Sequence, residues 1–323
     1  MEKGKKRLAV LVGCNYPNTQ YELHGCINDV LAMREVLVKR FGFDPQNVEL
    51  LMDAPGSPVL PTGTNVKAAL DRMVDRAEAG DVLFFHYSGH GTRIPRPRHK
   101  LPLWQDEAIV PCDFNLITDM DFRHMVNRLP KGSSFTILSD SCHSGGLIDK
   151  EKEQIGPYTA LCDGGASLSH APRTIPFNSL LHHLSSLTKI NTSDIGTHLL
   201  ECFGSEASLR FRRTLEELDA PIDLPVKPDE GILLSGCQAE ETSADMSPSA
   251  AAAGGAGKAY GAFSNAVQIV LRENAGRRLS NREVVAAARA VLRAQGFAQH
   301  PCLYCSDENA DAPFLWRPEP AEE

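Results

Sequence analysis

The sequence predicts an α/β fold built on a central, mainly parallel β-sheet with helices on both faces. Three observations carry this. Short apolar runs at 7–13, 47–52, 81–87 and 135–139 are bounded by turn residues and read as strands buried on both faces. Helical patterns lie between them, giving the strand–helix alternation of a sheet with right-handed crossovers. The 323 residues are also 42% hydrophobic, ample for a large core in one domain or two lobes.

Taken in order, the first strand is followed by a helix over 28–40 that ends before Gly42. A second helix over 64–79 sets Val66, Leu70, Met73, Val74 and Ala77 on one stripe. The strands at 81–87 and 135–139 complete a first region, 1–150. Beyond it no strand periodicity is sustained, and Gly164-Gly165, Pro172, Pro176, Pro221, Pro225 and Pro228 interrupt the chain. Long stretches of this kind inside compact domains are functional loops or linkers, so 151–228 reads as a linker with some helix between 178 and 217. Order returns in 229–323. Residues 231–235 form a buried strand, 247–257 a low-complexity Ala/Gly/Ser loop, and 262–273 and 280–295 helices. The last helix opens on Ser280-x-x-Glu283, a capping box, and 302–306 supplies a final strand.

Composition narrows the function. A formal charge of −8 argues against nucleic acid as a partner, because such domains cluster Lys and Arg, and it suits a cationic substrate. No apolar run approaches the ~20 residues of a membrane span, and 8–13 is too short for a signal-peptide core. The expectation is a cytoplasmic protein without a membrane partner, with the nucleus and later release outside the cell left open. Nine cysteines, an odd number spread along the chain, fit reduced thiols better than a disulfide framework. Cys302-x-x-Cys305 has no second pair beside it, so zinc is not expected.

Two strand ends carry chemistry. Phe84-Phe85-His86-Tyr87 runs into Ser88-Gly89-His90-Gly91, and 135–139 runs into Asp140-Ser141-Cys142-His143-Ser144-Gly145-Gly146. Functional groups of open α/β sheets collect beyond the carboxyl ends of strands. A thiol attacks as thiolate, and a neighbouring His makes the thiolate accessible near neutral pH. His90 and Cys142 therefore read as base and nucleophile. The glycines around them let backbone N–H groups approach a substrate carbonyl, so the amides of Gly91 and Cys142 are candidates for an oxyanion hole, worth ~3–4 kcal/mol per donor in other enzymes. Taken singly, a buried Cys is more often a small hydrophobe and a His a core or surface residue; it is the pairing of strand ends that favours catalysis.

His90 lies 52 positions before Cys142, close to the ~50-residue interval of caspases, although the Q-A-C-x-G signature is absent. The combination of Tyr87-Ser88-Gly89-His90-Gly91 with Asp140-Ser141-Cys142-His143-Ser144-Gly145 resembles the metacaspases. So do Gly25-Cys26-Ile27-Asn28-Asp29, Asp106-Glu107-Ala108-Ile109-Val110-Pro111 and Leu234-Ser235-Gly236-Cys237-Gln238-Ala239. The long linker, and the lack of a proline-rich or zinc-finger segment before the first strand, are similar to the plant type II subgroup. The resemblance implies a caspase-like fold with large (1–150) and small (229–323) catalytic regions. It also implies a zymogen that cuts its own linker, and a His–Cys dyad. A role in programmed cell death is implied by the family name alone.

A pocket for Arg or Lys must set carboxylate at its base, because an unpaired buried cation is costly. Asp140 is well placed for this, and the resemblance adds Cys26, Asp29 and Ser88; by itself Asp29 would read as a first-turn helix carboxylate. The expectation is cleavage after Arg or Lys and not after Asp. Many metacaspases need calcium, and by resemblance the ligands are Asp106, Asp119, Asp121 and Asp149. Family members carry two adjacent acids where this chain has Asp119-Met120-Asp121, and methionine is a poor calcium ligand. Calcium is therefore expected to be weak or dispensable, and no cofactor to be required. The cut site should be a basic residue in an exposed, irregular stretch. Lys150, Lys152, Arg173 and Lys189 are candidates, and cleavage between Arg173 and Thr174 is favoured because prolines flank it ahead of a helical segment.

The expected partners are protein and peptide substrates with exposed Arg or Lys and the chain's own linker, acted on by a monomer. The rival readings are a non-catalytic caspase-fold scaffold or aggregate-handling protein, and another hydrolase or redox enzyme using Cys142. A nucleotide-binding domain is set aside, since Gly13-Cys14-Asn15-Tyr16-Pro17 has no phosphate-cradling pattern.

Overall fold

The computed structural model describes residues 5–95, 105–142, 147, 152–156, 171–212, 231–237, 241, 243–246 and 258–315. Strand β1 (Arg7–Gly13) leads through a loop into α1 (Cys26–Phe41), which stops at Gly42 with φ 67°, a left-handed cap open to glycine. Strand β2 (Val48–Met52) precedes α2 (Gly63–Asp75), whose first turn is capped by the Thr62 side chain. Helix α2 buries Val66, Leu70, Met73 and Val74 as the stripe requires, while Ala77 falls beyond its end. Strand β3 (Val82–Ser88) is buried throughout. Strands β4 (Gly91–Pro95), β5 (Gln105–Ile109) and β6 (Ile117–Thr118) then make a small antiparallel sheet. Helix α3 (Asp119–Asn127) follows, with strand β7 (Ser134–Asp140) after it.

Residues 151–228 hold more structure than their broken periodicity suggests. They contain β8 (Glu153–Ile155), β9 (Ala171–Pro172), α4 (Phe177–Thr188), α5 (Ile195–Phe203) and α6 (Leu209–Arg212). Helices α5 and α6 fall inside the stretch where helix is expected and α4 begins one residue before it; the two strands are too short to leave a period-2 signal. Strands β10 (Gly231–Ser235), β11 (Ala244–Met246) and β12 (Tyr260–Gly261) follow. Helices α7 (Ala262–Glu273) and α8 (Asn281–Ala294), strand β13 (Cys302–Tyr304) and helix α9 (Asp307–Asp311) complete the fold. The expected capping box is present on α8: Glu283 N donates to Ser280 Oγ at 3.1 Å and Ser280 N to Glu283 Oε2 at 2.8 Å. The loop expected at 247–257 lies outside the described residues.

The central sheet runs β2-β1-β3-β7-β10-β13-β8. Its first five strands are mutually parallel, and β13 and β8 close one edge antiparallel. Alternate side chains feed two cores. Ala9, Leu11, Phe84 and Leu138 pack with α1, α7 and α8, and Leu8, Val10, Leu83 and Phe85 pack with α2 and α3. This double burial is why the strands read as unbroken apolar runs. A third cluster joins α4 and α5 to the small sheet through Ile94, Val110, Phe114, Leu180, Leu184 and Leu199. Among the described residues no helix is long and apolar enough to cross a membrane.

Candidate active site

After β1 the chain goes to β2 on one side, and β3 and β7 lie on the other, so a crevice opens past the carboxyl ends of β1, β3 and β7. The register brings the ends together: Gly13 pairs with Ser88, and Ser88 with Asp140. His90 and Cys142 each follow one of these adjacent ends by two residues.

The crevice holds residues 171–175 as an extended segment. Ala171 and Pro172 pair with Asp245 and Ala244 of β11, and Arg173 N donates to Ser243 O at 2.9 Å. On the other side Thr174 bridges Gly91, and Ile175 N donates to Gly91 O at 3.0 Å. Between these anchors the carbonyl of Arg173 accepts from Gly91 N at 3.1 Å and from Cys142 N at 3.2 Å. The two amides expected to form an oxyanion hole thus meet on one carbonyl oxygen. Only a glycine permits this approach: a Cβ on Gly91 would lie 1.9 Å from Cys142 O.

The Arg173 side chain, expected in an exposed stretch, is 0% exposed. Its Nη1 donates to Ser88 Oγ at 2.7 Å and to Asp140 O at 3.1 Å, with Asp140 Oδ2 at 3.4 Å. Its Nη2 donates to Asp29 Oδ2 at 3.0 Å and to Asp245 Oδ1 at 2.9 Å. Such a burial is tolerated because both Nη groups find acceptors, while Nε is buried without a hydrogen-bond partner. The carboxylates are themselves fixed by backbone amides: Asp29 accepts from Gly261 N, Asp140 from Ser264 N, and Asp245 from His24 N and Gly25 N. Burial pushes the Asp29 carboxyl up to about 7; Arg173 pulls it the other way, and Asp140 adds to the rise. Burial opposes the charge on Arg173 too, yet Cys26 and the three carboxylates outweigh it and raise its pKa well above the ordinary value. The Ser88 hydroxyl reaches the Cys26 thiol, which burial pushes up.

His90 is held from both ends of its peptide unit. Its N–H donates to Tyr16 OH at 3.0 Å, and its carbonyl accepts from Tyr87 OH at 2.8 Å. The ring packs 4.8 Å from that of Tyr16, and Nε2 lies 2.8 Å from the Tyr21 carbonyl, to which it donates when protonated. The ring also reaches the backbone of Arg173, and burial brings its pKa down to about 4. Cys142 is 0% exposed, and its Sγ accepts from Ser243 N at 3.0 Å. Cys26, Asp29, Ser88, His90, Gly91, Asp140, Cys142, Arg173 and Thr174 are therefore gathered in one crevice. Sequence reasoning missed Asp245, Tyr16, Tyr21 and Gly261, none of which lies in the segments that carry the resemblance.

Of the residues expected to bind calcium, Asp106, Asp119 and Asp121 engage neighbouring groups of the protein. Asp106 is paired with Arg210 of α6. Asp121 accepts from Thr118 N at 2.9 Å, Ser208 Oγ at 2.5 Å and Leu209 N at 3.0 Å, serving as cap of α3 and dock for α6. Asp119 sits 3.9 Å from Arg123. Among the described residues no three His, Cys, Asp or Glu are grouped to hold a metal, and Asp149 lies outside them. Of the other candidate cut sites, Lys152 is paired with Asp307, Lys189 caps α4 at φ 61°, and Lys150 lies outside the described residues.

Residues 6–312 match the caspase domain family. The chain is 61% identical to Metacaspase-9 of Arabidopsis thaliana, over 97% of this chain and 98% of that one. It is 39% identical to Metacaspase-6 of the same plant, over 95% and 99%, and 33% identical to Metacaspase-1 of Schizosaccharomyces pombe, over 93% and 67%. The fold is similar to that of the protein GSU0716 from Geobacter sulfurreducens, with TM-score 0.60, 19% identity, and 95% and 97% of the two chains covered.

Proposed function

Because the chain belongs to the metacaspases, cysteine peptidases of the caspase fold, we propose that Cys142 and His90 are its catalytic dyad and that it cuts after Arg, and less well after Lys. We propose further that it is made as a zymogen whose first cut falls between Arg173 and Thr174. One observation carries the reading: the chain's own Arg173 has its guanidinium among Asp29, Asp140 and Asp245 while its carbonyl accepts from Gly91 N and Cys142 N.

In the proposed mechanism His90 takes the thiol proton of Cys142, its orientation fixed by the Tyr21 carbonyl. Sγ attacks the carbonyl carbon, and the charge that develops on oxygen is met by amides already in place. His90 then protonates the leaving nitrogen of Thr174, and water releases the acyl group. The preference for Arg over Lys follows from the fork: Nη1 and Nη2 engage separate partners, which one ammonium cannot do at once. No step draws on a metal.

The test is hydrolysis of matched peptides with Arg, Lys or Asp before the scissile bond. Arg is expected to exceed Lys by about tenfold or more, since a lost charged hydrogen bond costs ~1.5–3 kcal/mol and 1.4 kcal/mol is tenfold. Asp should not be cut. Cys142→Ala should abolish cleavage, and Asp245→Asn should lower kcat/KM for Arg by about 10–100-fold on the same arithmetic, mainly through KM. Preferred cleavage after Asp, or full activity without the thiol, would refute the reading.

A further inference from the structure

Resting on the proposed cut at Arg173, we propose that this protein is also a peptide ligase: the α-amine freed on Thr174 stays beside Cys142 and accepts acyl groups from it. The two sides of the bond are held by different surfaces. Residues 171–173 lie on β11 and in the arginine pocket. Residues 174–212 are anchored to the large region instead, through contacts that the cut leaves untouched. Ile175 is 0% exposed, its N–H donates to Gly91 O at 3.0 Å, and its carbonyl accepts from Thr92 Oγ1 at 2.8 Å. Leu180, Leu184 and Leu199 are buried against the small sheet. Beyond them Asn115 Nδ2 donates to Glu206 O at 2.9 Å, and Leu209 and Arg210 dock on Asp121 and Asp106.

A second acyl group brought to Cys142, by a peptide that fills the pocket in place of 171–173, therefore meets a tethered amine. Reacting groups held in this way reach effective molarities of about 10⁵–10⁸ M, enough to compete with water. An α-amine has a pKa of roughly 7.7–8.0, so much of it is nucleophilic at mildly alkaline pH. Its lone pair attacks the thioester carbon; the C–N bond forms and the C–Sγ bond breaks. Cys142 leaves as thiolate and recovers the amine's proton through His90, while Gly91 N and Cys142 N hold the oxyanion. No further reactant is consumed. Water remains the final sink, because the ligated chain is again a substrate.

The test uses protein already cut after Arg173, mixed with acetyl-Ala-Pro-Arg anilide and quenched in acid at intervals for whole-fragment mass measurement. The fragment that begins at Thr174 is expected to gain the mass of the acetyl-tripeptidyl group on its α-amine. That fraction should rise with pH through the amine's range. In Leu180→Ala/Leu184→Ala, which loosens α4 away from the crevice, the fraction should drop at least tenfold while the anilide is still hydrolysed; Leu184→Ala alone is the milder variant should the double one not fold. Anilide hydrolysis in the parent protein with no acylated Thr174 at any time or pH overturns the ligase. A fragment starting elsewhere, or no hydrolysis at all, overturns the cut site and dyad beneath it, and the ligase with them.

Discussion

Asp29 illustrates how much one residue's meaning depends on its surroundings. In sequence it is an ordinary first-turn helix acid, and it does sit in the first turn of α1. In the fold it also takes the Ser88 hydroxyl at 2.7 Å, the Gly261 amide and the Arg173 guanidinium. That His90 and Cys142 share one crevice was legible because each follows an apolar strand and lies among glycines. Asp245 was not, because it belongs to a three-residue strand and meets Arg173 across 72 positions. The Tyr21 contribution is a backbone carbonyl, which no residue type announces. The low pKa of His90 carries a sign. Burial brings it down to about 4, so the ring is a neutral base above that value and a cation below it. The initial rate of cutting at Arg173, followed by gel from freshly refolded precursor, is expected to fall as pH is lowered through about 4, tenfold per unit once well below it. A rate that drops instead through 6.5 would mean that His90 is not buried in this way.

Among the elements, capping motifs were read with unequal success. Ser280 and Glu283 form the capping box their spacing predicts, and Thr118 and Asp121, at the same spacing, form another, although the resemblance points Asp121 toward calcium. The fold engages that carboxylate with α3 and α6. The small sheet β4–β6 leaves no sequence signal because Gly91–Pro95 and Gln105–Ile109 mix charged and polar residues into their runs and β6 has only two residues. Arg210, from a four-residue helix with no distinguishing pattern, supplies the positive charge at Asp106. Replacing it with Ala strands a buried carboxylate, a change worth ~3–5 kcal/mol when a buried pair is broken, reduced here because Arg210 is partly exposed. Amides of α5 and α6 are expected to lose hydrogen-exchange protection at least tenfold in Arg210→Ala, with the central sheet unchanged. In the parent protein, calcium and chelator should give the same thermal midpoint; a rise with calcium would mean that the acids are available to the ion after all.

On the scale of the molecule, the parallel strands were legible as apolar runs, but the order in which they pair was not. Strand β10, after the proposed cut, lies between β7 and β13, with five residue pairs joining it to β7. Its Ile232 and Leu234 share a core with Ala9, Leu11 and Leu138. Scission after Arg173 therefore divides the chain without dividing the sheet. The two fragments are expected to co-elute in native size exclusion and to separate only in denaturant; separate native peaks would mean that the sheet does not survive the cut. Arg173, fully buried in its own chain's crevice, has a kinetic consequence as well. A bond presented from within is broken in a first-order process, so the half-life of the uncut form belongs to the single molecule. On the proposed cut, maturation keeps time like a clock, indifferent to how many copies surround it.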